Sequence, residues 1–380
     1  MKLNGLSLFS NIGVAEAYLE DLDVNIKVAN ELLPERARLY SAIYPNVKMV
    51  CGDITDKTVF NDITAQAKKN NVDFIIATPP CQGMSTAGKK DDSDKRNYLI
   101  QYAIDMILKI KPRYVLLENV PRQLNTRIDI NGKKVLIPDY IKDSLSDFYN
   151  IKIDVVNALD YGVPQMRMRS IILCSLKSEP IQWDFPTEKT PHLTLKDVIG
   201  HLPPLDPYIQ GFTKNQMIEH FPDFYSKKEN GLKVSKWHFP PTHKIRHIIA
   251  MEHTPEGKSA LENERFYPAK PDGTKVKGFA NTYKRQSWDK PAYTITTYNG
   301  AICSQDNVHP GRSLGKDKNG NMIYSDARVF SIYELLILMS LPTNWGIPDN
   351  TNENLIRHTI GEGVPPLIIK TLVEQLVKEV

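Results

Sequence analysis

Five short apolar runs set the frame of this chain: Leu6-Ser7-Leu8-Phe9, Ile26-Lys27-Val28-Ala29, Phe74-Ile75-Ile76-Ala77, Tyr114-Val115-Leu116-Leu117 and Ile171-Ile172-Leu173-Cys174. Amphipathic stretches at 14–19, 34–43, 56–69, 98–111 and 139–148 separate them and are expected to be helical. Runs this short and this apolar suit strands, and strands that alternate with helices join by crossovers into a sheet covered on both faces. The expected fold class is therefore α/β, a doubly wound, mostly parallel sheet. Asn131-Gly132, inside 129–138, is a two-residue hairpin signal and predicts a surface excursion. From about 186 to 326 the periodicity decays into proline, glycine, histidine and isolated aromatics, which predicts a second, smaller, irregular domain. Helical periodicity returns at 331–341 and 366–378. The expected division is 1–186, 187–326, and a return to the first domain over 327–380.

Cysteine usage and charge narrow the chemistry. Cys51, Cys81, Cys174 and Cys303 stand far apart with no Cys-x-x-Cys, which fits a reducing compartment and argues against a zinc site or disulfide framework. There is no run of about 18 apolar residues and no signal-peptide pattern, so a cytoplasmic protein without a membrane segment is expected. The formal charge is only +4, yet residues 187–330 carry 21 Lys and Arg against 15 Asp and Glu. A basic segment on a near-neutral body is what a nucleic-acid-binding module needs.

The residues with chemical potential sit at the strand ends. Thr78-Pro79-Pro80 must leave the strand at 74–77, since proline donates nothing to a ladder and restricts its predecessor. Cys81 then falls where open α/β sheets place ligands, and is either a nucleophile or a small buried hydrophobe. The turn Leu8-Phe9-Ser10-Asn11-Ile12-Gly13 is expected to open a helix and let a ligand approach its amides. Glu31 ends the second strand, a position suited to ribose hydroxyls, and Asp53 follows the third. Singly each is a turn or cap residue; together they outline a site for an adenosine-containing cofactor. Glu118 closes another strand, where burial would raise its pKa and let it hold a proton. Arg167 and Arg169 share one face of an extended segment, suited to a phosphate, a polar base edge or a solvated strand edge.

In this order the motifs resemble those of the DNA (cytosine-5)-methyltransferases over nearly the whole chain. Phe9, Ser10, Asn11 and Gly13 look like the family's cofactor loop, Pro80-Cys81-Gln82 like its nucleophile motif and Glu118-Asn119-Val120 like its acid motif. Gln165-x-Arg167-x-Arg169 is similar to its paired arginines. The stretch from Arg285 to Thr296 resembles the motif closing the target-recognition region, and Gly361-Glu362-Gly363-Val364 the last motif, which returns to the cofactor. The resemblance implies methyl transfer from S-adenosylmethionine to C5 of a flipped-out cytosine in double-stranded DNA, with S-adenosylhomocysteine as product and no metal. Cys81 would add to C6, Glu118 would hold N3 and the exocyclic amine, Arg167 would hold O2, and Arg169 would steady that group. Glu31, Leu32, Asp53, Ile54, Pro80, Leu99, Gly363 and Val364 would line the cofactor with the loop. Pro79, Gln82, Ser85, Asn119, Gln165, Arg246, Lys284, Arg285, Thr296 and Asn299 would meet the DNA, and the polar stretch 82–97 would close over the flipped base. A monomer of prokaryotic or phage origin is implied, with a cognate restriction endonuclease as a functional partner.

Some positions depart from the family pattern. Ser7 stands where Asp is usual, Asn11 and Val14 where glycines are, Met84 for Phe, and Glu362-Gly363 for Asn-Ser. These changes bear on cofactor affinity more than on chemistry, because Cys81, Glu118, Arg167 and Arg169 are all present. Two other readings stay open at this point: a tRNA cytosine-5 methyltransferase, and a DNA-binding family member with weakened catalysis. The recognition sequence is not legible in these residues.

Overall fold

Five strands pair in parallel: β1 (Leu3–Leu8), β2 (Val24–Glu31), β3 (Lys48–Cys51), β4 (Phe74–Ala77) and β5 (Tyr114–Asn119). They appear in a computed structural model that describes residues 1–80 and 94–377. Crossover helices α1 (Pro34–Ile43), α2 (Lys57–Lys69) and α3 (Leu99–Ile110) connect them, and a hairpin, β6 (Arg127–Ile130) and β7 (Lys133–Leu136), follows β5. Asn131 and Gly132 turn that hairpin at φ 53° and 83°, the left-handed pair a tight two-residue turn requires. Helix α4 (Ile137–Leu145) leads into β8 (Tyr149–Asn157) and β9 (Met168–Leu176), giving a seven-stranded sheet in the order β3-β2-β1-β4-β5-β9-β8. Strand β9 runs antiparallel to both β5 and β8.

Period-two alternation explains why the central strands read as continuous apolar runs. Ile75, Val115 and Cys174 pack with Ile63, Ile104 and Ile141 of α2, α3 and α4, whereas Phe74, Ile76 and Leu116 pack on the opposite face against Ile368, Ile369 and Leu372. Those last residues belong to the C-terminal helix, at Pro366–Val377. Burial pushes the Cys174 thiol up to about 12, so it is an inert core residue.

One expectation fails locally, and one strand is unannounced in the sequence. Residues 14–19 form turns instead of a helix, because Phe9, Asn11 and Gly13 take φ of 59°, 53° and 82°, which interrupts any helical start. No apolar run marks β8, an outer strand whose inner and outer residues alternate.

The irregular segment contains α5 (Leu195–Ile199), α6 (Lys214–His220), α7 (Phe224–Val234) and α8 (Ile245–Glu252). Ile209, Phe224, Ile248, Met251, Val308 and Val329 form a core of their own. Leu195, Trp237 and Ile295 instead pack with α9 (Ile332–Leu338) and α10 (Glu353–Glu362), joining this segment to the sheet domain ahead of α11, the C-terminal helix above. Helix α9 is shorter than the periodicity at 331–341, and starts at a capping box between Ser331 and Glu334. Among the described residues no helix is long and apolar enough to cross a membrane, and no cluster of His, Cys, Asp or Glu is arranged to hold a metal.

Candidate active site

Strand order reverses between β1 and β4, the place where a doubly wound sheet opens a crevice at its carboxyl ends. The chain leaving β4 is tied on both sides of that crevice. Thr78 donates its amide to the Leu8 carbonyl at 3.2 Å and its hydroxyl to the Phe9 carbonyl at 3.1 Å. Asn119 Nδ2 donates to the Pro79 carbonyl at 3.0 Å. Asn119 is therefore a buried clamp on the proline segment, where the sequence pointed to a DNA contact. Pro79 and Pro80 are the last residues described before the nucleophile motif; Cys81, Gln82, Ser85 and most of 82–97 lie outside the described residues.

Glu118, at the end of β5, is buried, and Arg169 Nε of the neighbouring β9 donates to its Oε1 at 2.8 Å. Burial raises the Glu118 pKa, while Arg169 and Arg167 pull it back down, with a net upward shift. The two arginines lie on one face, as their spacing predicts, but their duties differ from those expected. Arg167 Nη1 donates to the Ile295 carbonyl at 2.8 Å, and Nη2 to the carbonyls of Gly361 and Gly363 at 2.9 and 2.8 Å. These bonds make it a stitch between three distant segments, so the arginine bonded to the acid is Arg169. Gln165, also expected at the DNA, is fully buried; it donates to the Leu338 carbonyl and accepts from the Ile295 amide.

The other half of the crevice is acidic. Glu31 Oε2 and Oε1 accept from the amides of Asn11 and Leu33, each at 2.9 Å, and burial raises its pKa despite those bonds. Pairing of Glu31 with Cys51 across β2 and β3 places Asp53 two residues beyond it, exposed, with Oδ1 accepting from the Thr55 amide. Leu32 is 54 % exposed between the two acids, an apolar surface open to a planar ring. Ser10 braces the loop by donating to the carbonyls of Ser7 and Asn30. Gly13 is obligatory: a Cβ there would overlap the Tyr44 ring, whose hydroxyl donates to the Gly13 carbonyl at 2.7 Å. Leu99, partly buried, opens α3. Ile54 and Val364 are core side chains, so any ligand would meet only their backbone.

No motif marks Glu16, yet the structure makes it central to the loop. Ser7 and Tyr40 both donate hydroxyl hydrogen bonds to its buried carboxyl. The acid missing at position 7 is thus supplied from the far side of the loop. A lone Glu inside Val14-Ala15-Glu16-Ala17-Tyr18-Leu19, together with the serine at 7, is the signal that could have found it. Burial lifts its pKa from 4.5 to about 7. The folded state then binds more protons than the unfolded state between those values, so stability is full below about pH 4.5 and is lost as pH rises through 7. The loss should be about 3 kcal/mol. Glu16→Gln should flatten that stretch of a plot of urea midpoint against pH; an unchanged slope would show that the proton is bound elsewhere.

In the irregular segment, two expected DNA contacts are structural. Arg285 is fully buried and donates to the carbonyls of Met251, His309, Ser325 and Asp326. Nearby Arg328 pairs with Asp326 at 2.8 Å and Glu334 at 2.7 Å, all buried. Burial alone would raise Glu334, but Arg328 and His309 outweigh it and hold its carboxyl at about 2. Asn299 is buried too, bridging the carbonyls of Thr296 and Arg357. Arg246, Lys284 and Thr296 remain partly accessible, although Lys284 leans on Asp306 at 3.5 Å.

The family model for C-5 cytosine-specific DNA methylase matches residues 3–378. Type II methyltransferase M1.HgaI of Avibacterium volantium is 46 % identical over the full length of both chains. Type II methyltransferase M.XorII of Xanthomonas oryzae is 24 % identical over 98 % of this chain and 84 % of its own length. Among solved structures, a prophage-encoded E. coli protein assigned as a DNA modification methyltransferase superposes with TM-score 0.65 at 20 % identity, covering 99 % of both chains. Entamoeba histolytica methyltransferase EhMeth does so with TM-score 0.59 at 16 % identity, over 100 % of this chain and 99 % of its own.

Proposed function

The chain belongs to the C-5 cytosine-specific DNA methylases, and from that premise we propose which of its residues carry the reaction and on what substrate. Cytosine C5 is a poor nucleophile and is inaccessible in a stacked duplex, so the base must be flipped out. Addition of the Cys81 thiolate to C6 breaks the C5–C6 double bond and makes C5 an enamine carbon. Glu118, its pKa raised by burial, holds a proton for N3 and offsets the charge building on the ring. Arg169, bonded to Glu118, orients that carboxyl and holds O2. S-adenosylmethionine, when bound, supplies an electrophilic methyl group to C5. Loss of the C5 proton to solvent, departure of the Cys81 thiolate and return of the N3 proton to Glu118 then restore the aromatic ring.

The single observation that carries this reading is the buried Glu118–Arg169 pair beside the Thr78–Pro80 exit of β4, clamped by Asn119. Cofactor fit rests on the exposed Leu32 between Glu31 and Asp53 at adjacent strand ends, with the loop of Phe9, Ser10, Asn11 and Gly13 above them. Residues 187–326 serve as the target-recognition region, with Arg246, Lys284 and Thr296 as contacts. Lys275, Lys277 and the 77 % exposed Phe279 add a basic, apolar edge suited to duplex DNA. The chain would act in the cytoplasm as the methyltransferase of a type II restriction-modification system, beside a cognate endonuclease.

Bisulfite sequencing of plasmid DNA from methylation-free cells expressing the chain tests this. Protected cytosines confined to one short motif are the expected result, and they would also give the target sequence. Uniform conversion of every cytosine would remove the DNA reading.

A further inference from the structure

Four departures from the family pattern, at Asn11, Val14, Glu362 and Gly363, come from opposite ends of the chain and meet along one seam. Asn11 Nδ2 donates to the Thr359 carbonyl at 2.9 Å, fastening the cofactor loop to α10. Glu362, at the end of α10, pairs with Arg36 of α1 at 2.7 Å, which meets its charge, and lies 3.1 Å from His358 Nε2. Gly363 follows with φ −62° and ψ 157°, a conformation open to any residue. What it lacks is space. A Cβ there would lie 2.6, 2.7 and 2.9 Å from Val14 Cγ1, Cβ and Cγ2, closer than real carbon contacts allow.

Neither partner has room to retreat. Val14 is 1 % exposed and packs in a cluster with Ile12, Ile295 and Ile360. Gly361, two residues before Gly363, lies so close to the Thr296 carbonyl that a Cβ would overlap it. Arg167 meanwhile holds the carbonyls of both Gly361 and Gly363. Segment 361–363 is thus wedged between the Thr296 backbone and the Val14 side chain. Asn11 carries the contact onward, because its amide is one of the two that fix the Glu31 carboxylate.

Resting on the cofactor assignment above, we infer that Val14 and Gly363 are a matched pair of positioning residues that hold the cofactor loop against α10. The valine side chain fills the volume that a side chain at 363 would otherwise take, and the glycine makes the valine possible. The departures compensate one another, so reverting one alone disturbs the loop and the Glu31 site, while reverting both together does not. This argues against the reading in which altered cofactor motifs weaken catalysis.

The test is a double-mutant cycle on the full chain, with S-adenosylmethionine affinity measured by calorimetric titration and folding by the thermal midpoint. Gly363→Ser should raise Kd about tenfold or more and lower the midpoint. Adding Val14→Gly to that variant should bring Kd back to within about threefold of the parent, since the two changes share one volume. A packing defect that spared the cofactor loop would lower the midpoint of Gly363→Ser and leave its Kd unchanged. Wild-type Kd in Gly363→Ser, or a double variant binding no tighter than Gly363→Ser, overturns the pairing. Where Gly363→Ser does not fold, the double variant should fold and bind; its failure to fold overturns the pairing equally. A parent chain that folds but shows no binding would remove the cofactor assignment itself, a result distinct from any of these.

Discussion

Cys81→Ser will abolish methyl transfer while leaving DNA binding and S-adenosylmethionine binding largely intact. The reasoning starts from the ring. C5 becomes nucleophilic only after something adds to C6, and the addition needs an anionic or easily ionised sulfur. A free thiol titrates near ~8.5, so a modest electrostatic push makes a thiolate available at neutral pH, and no comparable push ionises a serine hydroxyl. Loss of a nucleophile of this kind costs roughly 10⁴-fold or more in turnover. That loss corresponds to about 5 kcal/mol of transition-state stabilisation. Tritiated methyl incorporation into a defined duplex measures it, with gel-shift affinity as the control. A second readout isolates the covalent step. With fluorine at C5 of the target base no proton is left to lose, so the parent chain should remain attached to the DNA in denaturing gels. Cys81→Ser should show no such adduct, and retained turnover would sink the covalent route.

Legibility of the fold followed burial. Strand β4 matches the apolar run at 74–77 because both its faces are covered, so every residue there had to be apolar. The edge strand β8, with Asn150, Lys152 and Asp154 facing outward, carried no such constraint and left no run to read. The turns at 14–19 mimic a helix for a related reason: Ile12, Glu16 and Leu19 are buried at i, i+4, i+7, but the left-handed residues Phe9, Asn11 and Gly13 break the backbone. At the site, the sequence spacing of Arg167 and Arg169 established a common face, but which arginine meets Glu118 depends on where Ile295, Gly361 and Gly363 arrive from far along the chain. Arg285 looked like a DNA contact because arginine in a basic segment usually is one. Four converging carbonyls, all set by tertiary structure, make it a buried brace. Glu16 was invisible alone, since its meaning comes from Ser7 and Tyr40 beside it.

Glu118→Gln should lower kcat by about 10²- to 10⁴-fold, the usual worth of a positioned general acid. Glutamine keeps the shape and can still accept from Arg169, so folding should survive, but it has no acidic proton for N3. The pH dependence carries the sharper statement. Burial is the largest influence on Glu118 and raises its pKa, so the protonated, competent form persists to higher pH than for an exposed carboxyl. Single-turnover rates should fall as pH climbs through that raised value, and Glu118→Gln should lose this limb. Arg169 acts in the opposite direction, favouring the carboxylate through its 2.8 Å bond. Removing its charge with Arg169→Gln should therefore shift the limb to higher pH while lowering the maximum rate, because the acid is easier to protonate but no longer oriented. A limb that moves to lower pH in Arg169→Gln, or survives in Glu118→Gln, would assign the titrating proton to another group. Removing Arg169 would raise either pKa, so the sense of the limb, and not its movement, separates a Glu118 proton from that of the Cys81 thiol. A thiol that gave up its proton more readily beside a cation would titrate higher without Arg169, but its limb is one on which the rate rises with pH.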